Sequence, residues 1–354
     1  MRKLASVRKV LSLSPIPGAD FIERATIDGW EVVVKKGEFQ VNDLCVFFEI
    51  DSFLPDTPTF AFLGTPRTYE GRSGHRLKTV RLRKCISQGL ALPLSSFGFT
   101  DLPEGTDLTD VLNVIKYDNS VAISGSTPGL KAGNTSGSFP SFIPKTDQER
   151  IQNLTHYFES YADLQFEETL KLDGSSCTMY KVPRTPKWYE RVLRFFGYPI
   201  ATTHFGVCSR NLEIKRSPTS DFWKVADSYS IESRLPVGYA IQGELIGPRI
   251  QSNHEKVTSL QYYVFDVYDI SAERYLSPSE RHLFCQHYDL PHVPIVSHIV
   301  SIFKECPDLP SLLARVDGPS MNPDTVSEGR VYKCTTNPIT FKCINNKYLL
   351  HHEQ

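Results

Sequence analysis

The spacing of apolar and polar positions changes along the chain, and its first hundred residues read as β. Val7-Arg8-Lys9-Val10-Leu11-Ser12-Leu13 alternates before a loop through Pro15, Pro17 and Gly18. Such alternation puts successive side chains on opposite faces of a strand. Segments 21–27 and 30–34 flank Asp28-Gly29, a two-residue hairpin signature. Segment 44–50 reads as a buried-type strand, and 75–83 alternates strictly ahead of a last apolar segment at 86–93. Roughly five short strands with turn signals between them predict a small barrel, most simply an OB-like one. The alternation places Arg76 and Lys78, with Lys84, near one face and Arg81 and Arg83 near another. A basic face of this kind suits a nucleic-acid backbone and equally well a solvated strand surface.

The pattern then lapses. Residues 101–138 crowd Gly, Ser, Thr and Asn into 124–129 and 133–138, a composition that reads as a linker. From 139 to 354 periodicity returns. Thr146 or Asp147 would N-cap a helix running to about Ser160, with Glu149 in its first turn. Strand-like segments then surround Lys171-Leu172-Asp173-Gly174. Asp-Gly is a common hairpin turn, so Lys171 reads either as an exposed turn residue or as a reactive amine. The local residues leave both readings open.

Composition narrows the class. A chain of 354 residues, at about 150 per domain, suggests two domains and two cores. With 40% hydrophobic and 22% charged residues it reads as globular. No apolar run of about 18 residues suggests a membrane span, and the N-terminus lacks the pattern of a secretory leader. Eight cysteines without a C-x-x-C pair argue against a zinc site or disulfide framework, and fit a reducing intracellular compartment. A net charge of −1 means that any nucleic-acid partner must be met by a local basic surface.

Six short motifs, taken in order, carry a resemblance. Lys171-x-Asp173-Gly174, Ser209-Arg210-Asn211, Gly243-Glu244-Leu245-Ile246-Gly247, Phe265-Asp266-Val267-Tyr268, Glu328-Gly329-Arg330-Val331 and Phe341-Lys342 follow one another along the chain. This series resembles the covalent nucleotidyltransferases, the superfamily of polynucleotide ligases and capping enzymes. From residue 139 onward the chain looks like an ATP-dependent RNA ligase. Its first hundred residues resemble the OB module that a small nick-sealing branch carries at its N-terminus. The fold implied is α+β: an OB-like barrel (1–100), a linker (101–138) and a nucleotidyltransferase domain of antiparallel sheets with flanking helices (139–354).

The resemblance assigns roles that the chemistry supports. Lys171 would attack the α-phosphorus of ATP, which requires a neutral amine, and Lys342 and a bound metal would lower its pKa. Asp173, Asp266 and Glu328 would hold Mg2+ or Mn2+, largely through its water shell. Glu244 would accept from a ribose hydroxyl. Phe265 would stack on adenine, for about 1–3 kcal/mol by analogy with base stacking. Arg210 would contact phosphate or a terminal ribose, Lys342 would contact phosphate, and Arg150, Gln152 and Asn153 would form a nucleic-acid-binding lead-in. Lys171, Asp173, Glu328 and Lys342 would form the catalytic set.

Three features depart from relatives. Ile344 stands where a second lysine often follows Lys342, with Lys347 nearby as a substitute. Leu170 replaces a polar residue before the nucleophile, which leaves adenine contacts there to main chain. Residues 183–198 look like an insertion, basic at Arg184, Lys187, Arg191 and Arg194 and aromatic at Trp188, Phe195 and Phe196. That segment would touch substrate or form a surface helix. DNA ligases and capping enzymes carry an OB domain after the last shared motif. Only twelve residues follow Lys342, so a barrel placed upstream favours the RNA-ligase branch. The expected partner is a nicked duplex whose RNA strand supplies the 3′-OH, acted on by a monomer with no membrane attachment. The competing readings are a GTP-using capping-type guanylyltransferase and a non-catalytic OB-containing nucleic-acid-binding protein.

Overall fold

The structure, a computed structural model, describes residues 3–117, 135–196, 198 and 200–352. At the N-terminus an antiparallel five-stranded sheet runs in the order Leu90–Pro93, Leu44–Phe48, Ala5–Pro15, Ile22–Ile27, Trp30–Lys35. Val32 and Val34 alternate inward with Trp30, and Phe47 of Leu44–Phe48 meets them across the same core, so the period-two pattern buries one face. The expected hairpin forms: Ile27 pairs with Trp30, and Asp28 takes φ 50° in the turn between them. The other face of the sheet packs Val7, Val46 and Phe48 against Leu54, Phe60 and Leu77. This is the OB-like barrel.

Two stretches differ from expectation. The alternating segment 75–83 is broken at Leu77, whose amide donates to Ser52 O. Thr79–Leu82 and Cys85–Gln88 form a separate hairpin whose two turn residues, Arg83 and Lys84, are both left-handed. The span 101–138 carries structure at both described ends. Leu108 and Val114 are buried in the barrel core, and Ile115–Lys116 pairs with Ser52–Pro55. Thr135–Ser138 pairs with Leu212–Ile214. The apolar residues of 102–114 pack because the barrel offers them a surface, which composition alone does not reveal. The Gly/Ser-rich part at 124–129 lies outside the described residues.

The C-terminal portion is built on two antiparallel sheets. The larger has seven strands, ordered Thr135–Ser138, Leu212–Ile214, Thr203–Cys208, Ser175–Pro183, Tyr239–Ile246, Gln261–Asp269 and Arg274–Tyr275. The smaller has four: Ile295–Val300, Phe166–Lys171, Gly329–Cys334 and Thr340–Ile344. Helices Asp221–Ser228 and Pro278–His287 cover the larger sheet through Trp223, Val225 and Cys285. A separate cluster of Phe166, Phe303, Tyr332 and Phe341 fills the underside of the smaller one. The molecule is α+β, with few helices. No helix among the described residues is long and apolar enough to cross a membrane.

The helix expected from 146 to 160 does not form. The chain makes a single 3-10 turn at Ile151–Asn153 and a four-residue helix at Tyr157–Ser160. Ahead of the turn it lies along the Lys342 strand, with Arg150 bridged to Lys342 and the Lys342 amide donating to Glu149 O. Pairing with a strand edge satisfies backbone groups that a helix would otherwise have claimed.

This segment also joins the two halves. Gly29 N donates to Gln152 O at 2.9 Å, and Trp30 Nε1 donates to Asn153 Oδ1 at 2.7 Å. Asn153 Nδ2 donates to Glu49 Oε1 at 2.7 Å, and Arg150 Nη2 to Asp51 Oδ2 at 3.0 Å. A Cβ on Gly29 would stand 2.8 Å from the Gln152 backbone, so the approach needs glycine. Ile344, at the end of the strand Thr340–Ile344, and Leu349, within the helix Asn346–His352, are buried in the barrel's own core. The halves share apolar packing as well as hydrogen bonds.

Candidate active site

Asp173-Gly174 is not a hairpin turn. Lys171 ends a strand of the smaller sheet, and Ser175 begins a strand of the larger one. Residues 172–174 therefore cross between sheets. Lys171 pairs with Gly329, next to Glu328, while Ser176 pairs with Glu244. The crossing thus gathers Lys171, Asp173, Glu244 and Glu328, from three distant motifs, where the two sheets meet. Gly174 permits it, because a Cβ there would lie 2.4 Å from Leu245 O.

The electrostatics of this cleft are dominated by acids. Lys171 Nζ donates to Glu328 Oε1 at 2.6 Å. Burial opposes the lysine's charge, but Glu328, Glu244 and Asp173 together outweigh it and hold the pKa above the ordinary lysine value. Lys342, expected to lower it, is instead paired with Asp147, 3.0 Å away. Set among these acids, Lys171 is a well-held ammonium rather than a poised nucleophile. Burial pushes Glu244 up to about 8 against the pull of Lys171, with Glu328 and Asp173 adding repulsion. Burial likewise raises Asp173 and Glu328 while Lys171 draws both down. The Tyr348 hydroxyl hydrogen-bonds the Asp173 carboxylate and stabilises its charge.

Beside the lysine lies an apolar wall of Leu170, Leu172, Ile246 and Val293, with Val257, Phe265 and Met321 packed against it. Half-buried Phe265 fits a surface for a planar base. Leu170 joins this wall with its side chain, and its amide is already committed to Pro294 O. Asp266 does not join the acid cluster. It is buried on the far side of its strand, where Lys333 Nζ donates to it at 2.6 Å and Arg281 stands 3.9 Å away. Its charge is spent on that pair, which removes it from the expected metal set. Lys333 also donates to Phe265 O at 2.6 Å and lies 5.9 Å from the centre of the Phe265 ring. Burial pushes its pKa down to about 8 despite Asp266.

A second group of charges borders the cleft. Asp147 accepts from Lys342 at 3.0 Å and Lys116 at 2.7 Å, and Arg210 lies 3.4 Å away. Ile344, in place of a second lysine, is core, and Lys347 pairs with Asp317 at 2.6 Å, so it does not stand in.

The nucleic-acid lead-in is placed differently from expectation. Arg150 and Gln152 are buried, and Arg150, Gln152 and Asn153 all face the barrel in the contacts given above, not an open surface. Arg76 lies over the Tyr117 ring at 4.4 Å, and both it and Lys78 are half-buried with partners inside the protein. Exposed cations of that region include Arg67, Arg72, Arg81, Arg83 and Lys84. The insertion forms a helix, Trp188–Phe195, with Trp188, Phe195 and Phe196 largely exposed and Arg184 paired to Glu190.

Three residues enter that the motifs did not supply: Asp147, Lys333 and Tyr348. Lys333 lies two positions beyond the Glu328-Gly329-Arg330-Val331 motif, whereas nothing local marks Tyr348.

The chain is similar in sequence and fold to known proteins. A family model described as an OB-fold domain matches residues 4–94, and one described as RNA ligase matches residues 164–346. No curated protein sequence matches. Among solved structures, a mutant Naegleria gruberi RNA ligase determined with ATP and Mn is 37% identical, covering 100% of each chain at a TM-score of 0.85. Another mutant of that ligase, determined with AMP and Mn, is 36% identical over 99% of each chain, again at 0.85. The N. gruberi ligase with PPi is 36% identical over 100% of this chain and 99% of that one, at 0.84.

Proposed function

The chain belongs to the RNA ligase family, and from that premise we propose that it seals 3′-OH/5′-phosphate nicks in duplexes whose RNA strand supplies the 3′-OH. The observation that carries this reading is the convergence of Lys171, Glu244 and Glu328 beside the apolar Phe265 wall, with Lys342 and Arg210 at its border. The substrate is ATP. Lys171 Nζ, once neutral, forms a bond to the α-phosphorus as the bond to pyrophosphate breaks, leaving AMP on the lysine. The 5′-phosphate oxygen of the nick then takes AMP from Lys171, which leaves as an amine. Finally the 3′-OH attacks the activated 5′-phosphorus and AMP departs.

Phe265 and Leu170 hold the adenine, Glu244 accepts from the ribose, and Lys342 and Arg210 face the phosphates. Charge-assisted donors aimed at the transferring phosphoryl group supply most of the catalysis in such reactions.

The residues also fit a divalent cation, Mg2+ or Mn2+. Glu328 Oε2 is buried with no hydrogen-bond partner, an orphan oxygen facing a cleft already rich in carboxylates. No group of three metal-ligating side chains close enough to chelate an ion occurs among the described residues. Asp173 and Glu328 would therefore hold such an ion through its water. Bound there, it would neutralise phosphate charge and offset the acids that keep Lys171 protonated.

The barrel contributes a sequence-independent grip on the duplex through the exposed Arg81, Arg83 and Lys84, which weakens as salt rises. The test is a panel of nicked duplexes carrying RNA or DNA on each side of the break. Sealing with an RNA 3′-OH strand and its loss with a DNA one is expected. Equal sealing of all-DNA nicks overturns the strand preference, and sealing of none overturns the nick reading.

A further inference from the structure

The cations at the border of the cleft are held by one carboxylate from an unexpected segment. Lys116 arrives from the small sheet of the barrel, Arg210 from the turn after Thr203–Cys208, and Lys342 from Thr340–Ile344. All three meet Asp147, at 2.7, 3.4 and 3.0 Å. The carboxylate cannot drift with them, because its segment is pinned on both sides. Pro144 O accepts from Gln242 Nε2 at 2.8 Å and from the Tyr275 hydroxyl at 3.0 Å, and Glu149 O accepts from the Lys342 amide at 2.9 Å. Its side chain is still 36% exposed, so the cluster is open to an incoming ligand.

Three cations converging on one anionic group is the arrangement that also binds phosphate. We propose that Asp147 is a positioning residue, an internal anion that gathers Lys116, Arg210 and Lys342 before the nucleotide arrives and then competes with its phosphates for them. This rests on the ligase reading above and adds to it a built-in limit on how tightly the phosphate end of ATP, and the departing pyrophosphate, can bind. The same carboxylate ties barrel and catalytic sheet together through Lys116, so barrel placement and phosphate affinity share one group.

Removing the charge while keeping the shape separates this role from a structural one. Asp147→Asn is expected to lower KM for ATP in self-adenylylation by about three- to tenfold, with no rise in kcat, because ground-state phosphate binding is what the carboxylate opposes. Inhibition by free pyrophosphate should tighten by a similar factor, and Asp147→Glu should return both values toward wild type. Asp147→Ala serves as the second neutral variant should the asparagine protein not fold. Unchanged or raised KM with unchanged pyrophosphate inhibition in a folded neutral variant overturns the proposal. Wild-type protein that takes no AMP from ATP would instead refute the ligase reading on which it rests.

Discussion

Lys171 Nζ stands 2.6 Å from Glu328 Oε1, in a cleft where Glu244 and Asp173 add further negative charge. The ion pair makes the lysine a worse nucleophile before substrate binds, since only the neutral amine attacks. Its pKa is raised, so the pair adds stability that is fully present below the unfolded value of 10.5 and is lost as pH rises through the higher folded value. In ligand-free protein, amine-reactive labelling of Lys171, followed by peptide mass spectrometry, should keep rising past pH 10.5. Glu328→Gln removes a charge that raises the pKa and should move that limb to lower pH. Wild-type labelling that levels off below the ordinary lysine range would contradict this electrostatic account.

Asn153 tests the reassignment of the lead-in segment. Its amide links Trp30 and Glu49 across the two halves, at 2.7 Å each, so its loss strands buried polar groups. Asn153→Ala should cost about 1–3 kcal/mol of stability by denaturant unfolding. Affinity for a nicked duplex, measured well below the unfolding transition, should stay the same. A stable variant with weakened duplex binding would return Asn153 to the nucleic-acid surface.

Gly174→Ala probes the crossing between sheets. The added methyl would meet the Leu245 carbonyl at 2.4 Å, and backbone on both sides has little freedom to move. Overpacking of this kind costs about 1–3 kcal/mol and shifts the strands that carry Lys171 and Glu244. Self-adenylylation should fall at least tenfold, even where circular dichroism shows a folded protein. Wild-type adenylylation by the alanine variant would mean that the two strands need not approach so closely.

Tyr348 connects the barrel to the cleft. It sits on the helix Asn346–His352, whose Leu349 is buried in the barrel core, and its hydroxyl hydrogen-bonds Asp173. Tyr348→Phe removes only that hydroxyl. Expected is a several-fold rise in the Mg2+ concentration giving half-maximal adenylylation, with a smaller change at saturating metal. An unaltered magnesium dependence would show that Asp173 is oriented without it.

How far these relationships could be read in advance depended on where each residue's partner lies. The barrel strands were legible because one-sided burial demands alternation, as Val32 and Val34 show beside Trp30. Lys171, Glu244, Glu328 and Lys342 could be read as an ordered series of motifs, but the charge effect expected of Lys342 on Lys171 gives way to that of Glu328, Glu244 and Asp173, which no motif spacing shows. Asp266 misled because its partner, Lys333, is 67 residues away and claims the acid that adjacency to Phe265 offers in the sequence. Arg150 and Asn153 misled for a related reason. Polar residues in a row read as a solvated or ligand-binding face, yet here they close an interface whose other half is Trp30, Glu49 and Asp51. Tyr348 had no local signal, since its role depends on where the barrel seats the final helix.

The central claim is that Lys171 carries AMP. Incubating the protein with ATP labelled at the α-phosphate and Mg2+, then mapping the adduct by peptide mass spectrometry, addresses it most directly. The expected result is one AMP per chain on Lys171, absent from Lys171→Ala and released when a 5′-phosphorylated nick is added. An unlabelled wild-type protein, or a label that survives Lys171→Ala, would contradict it.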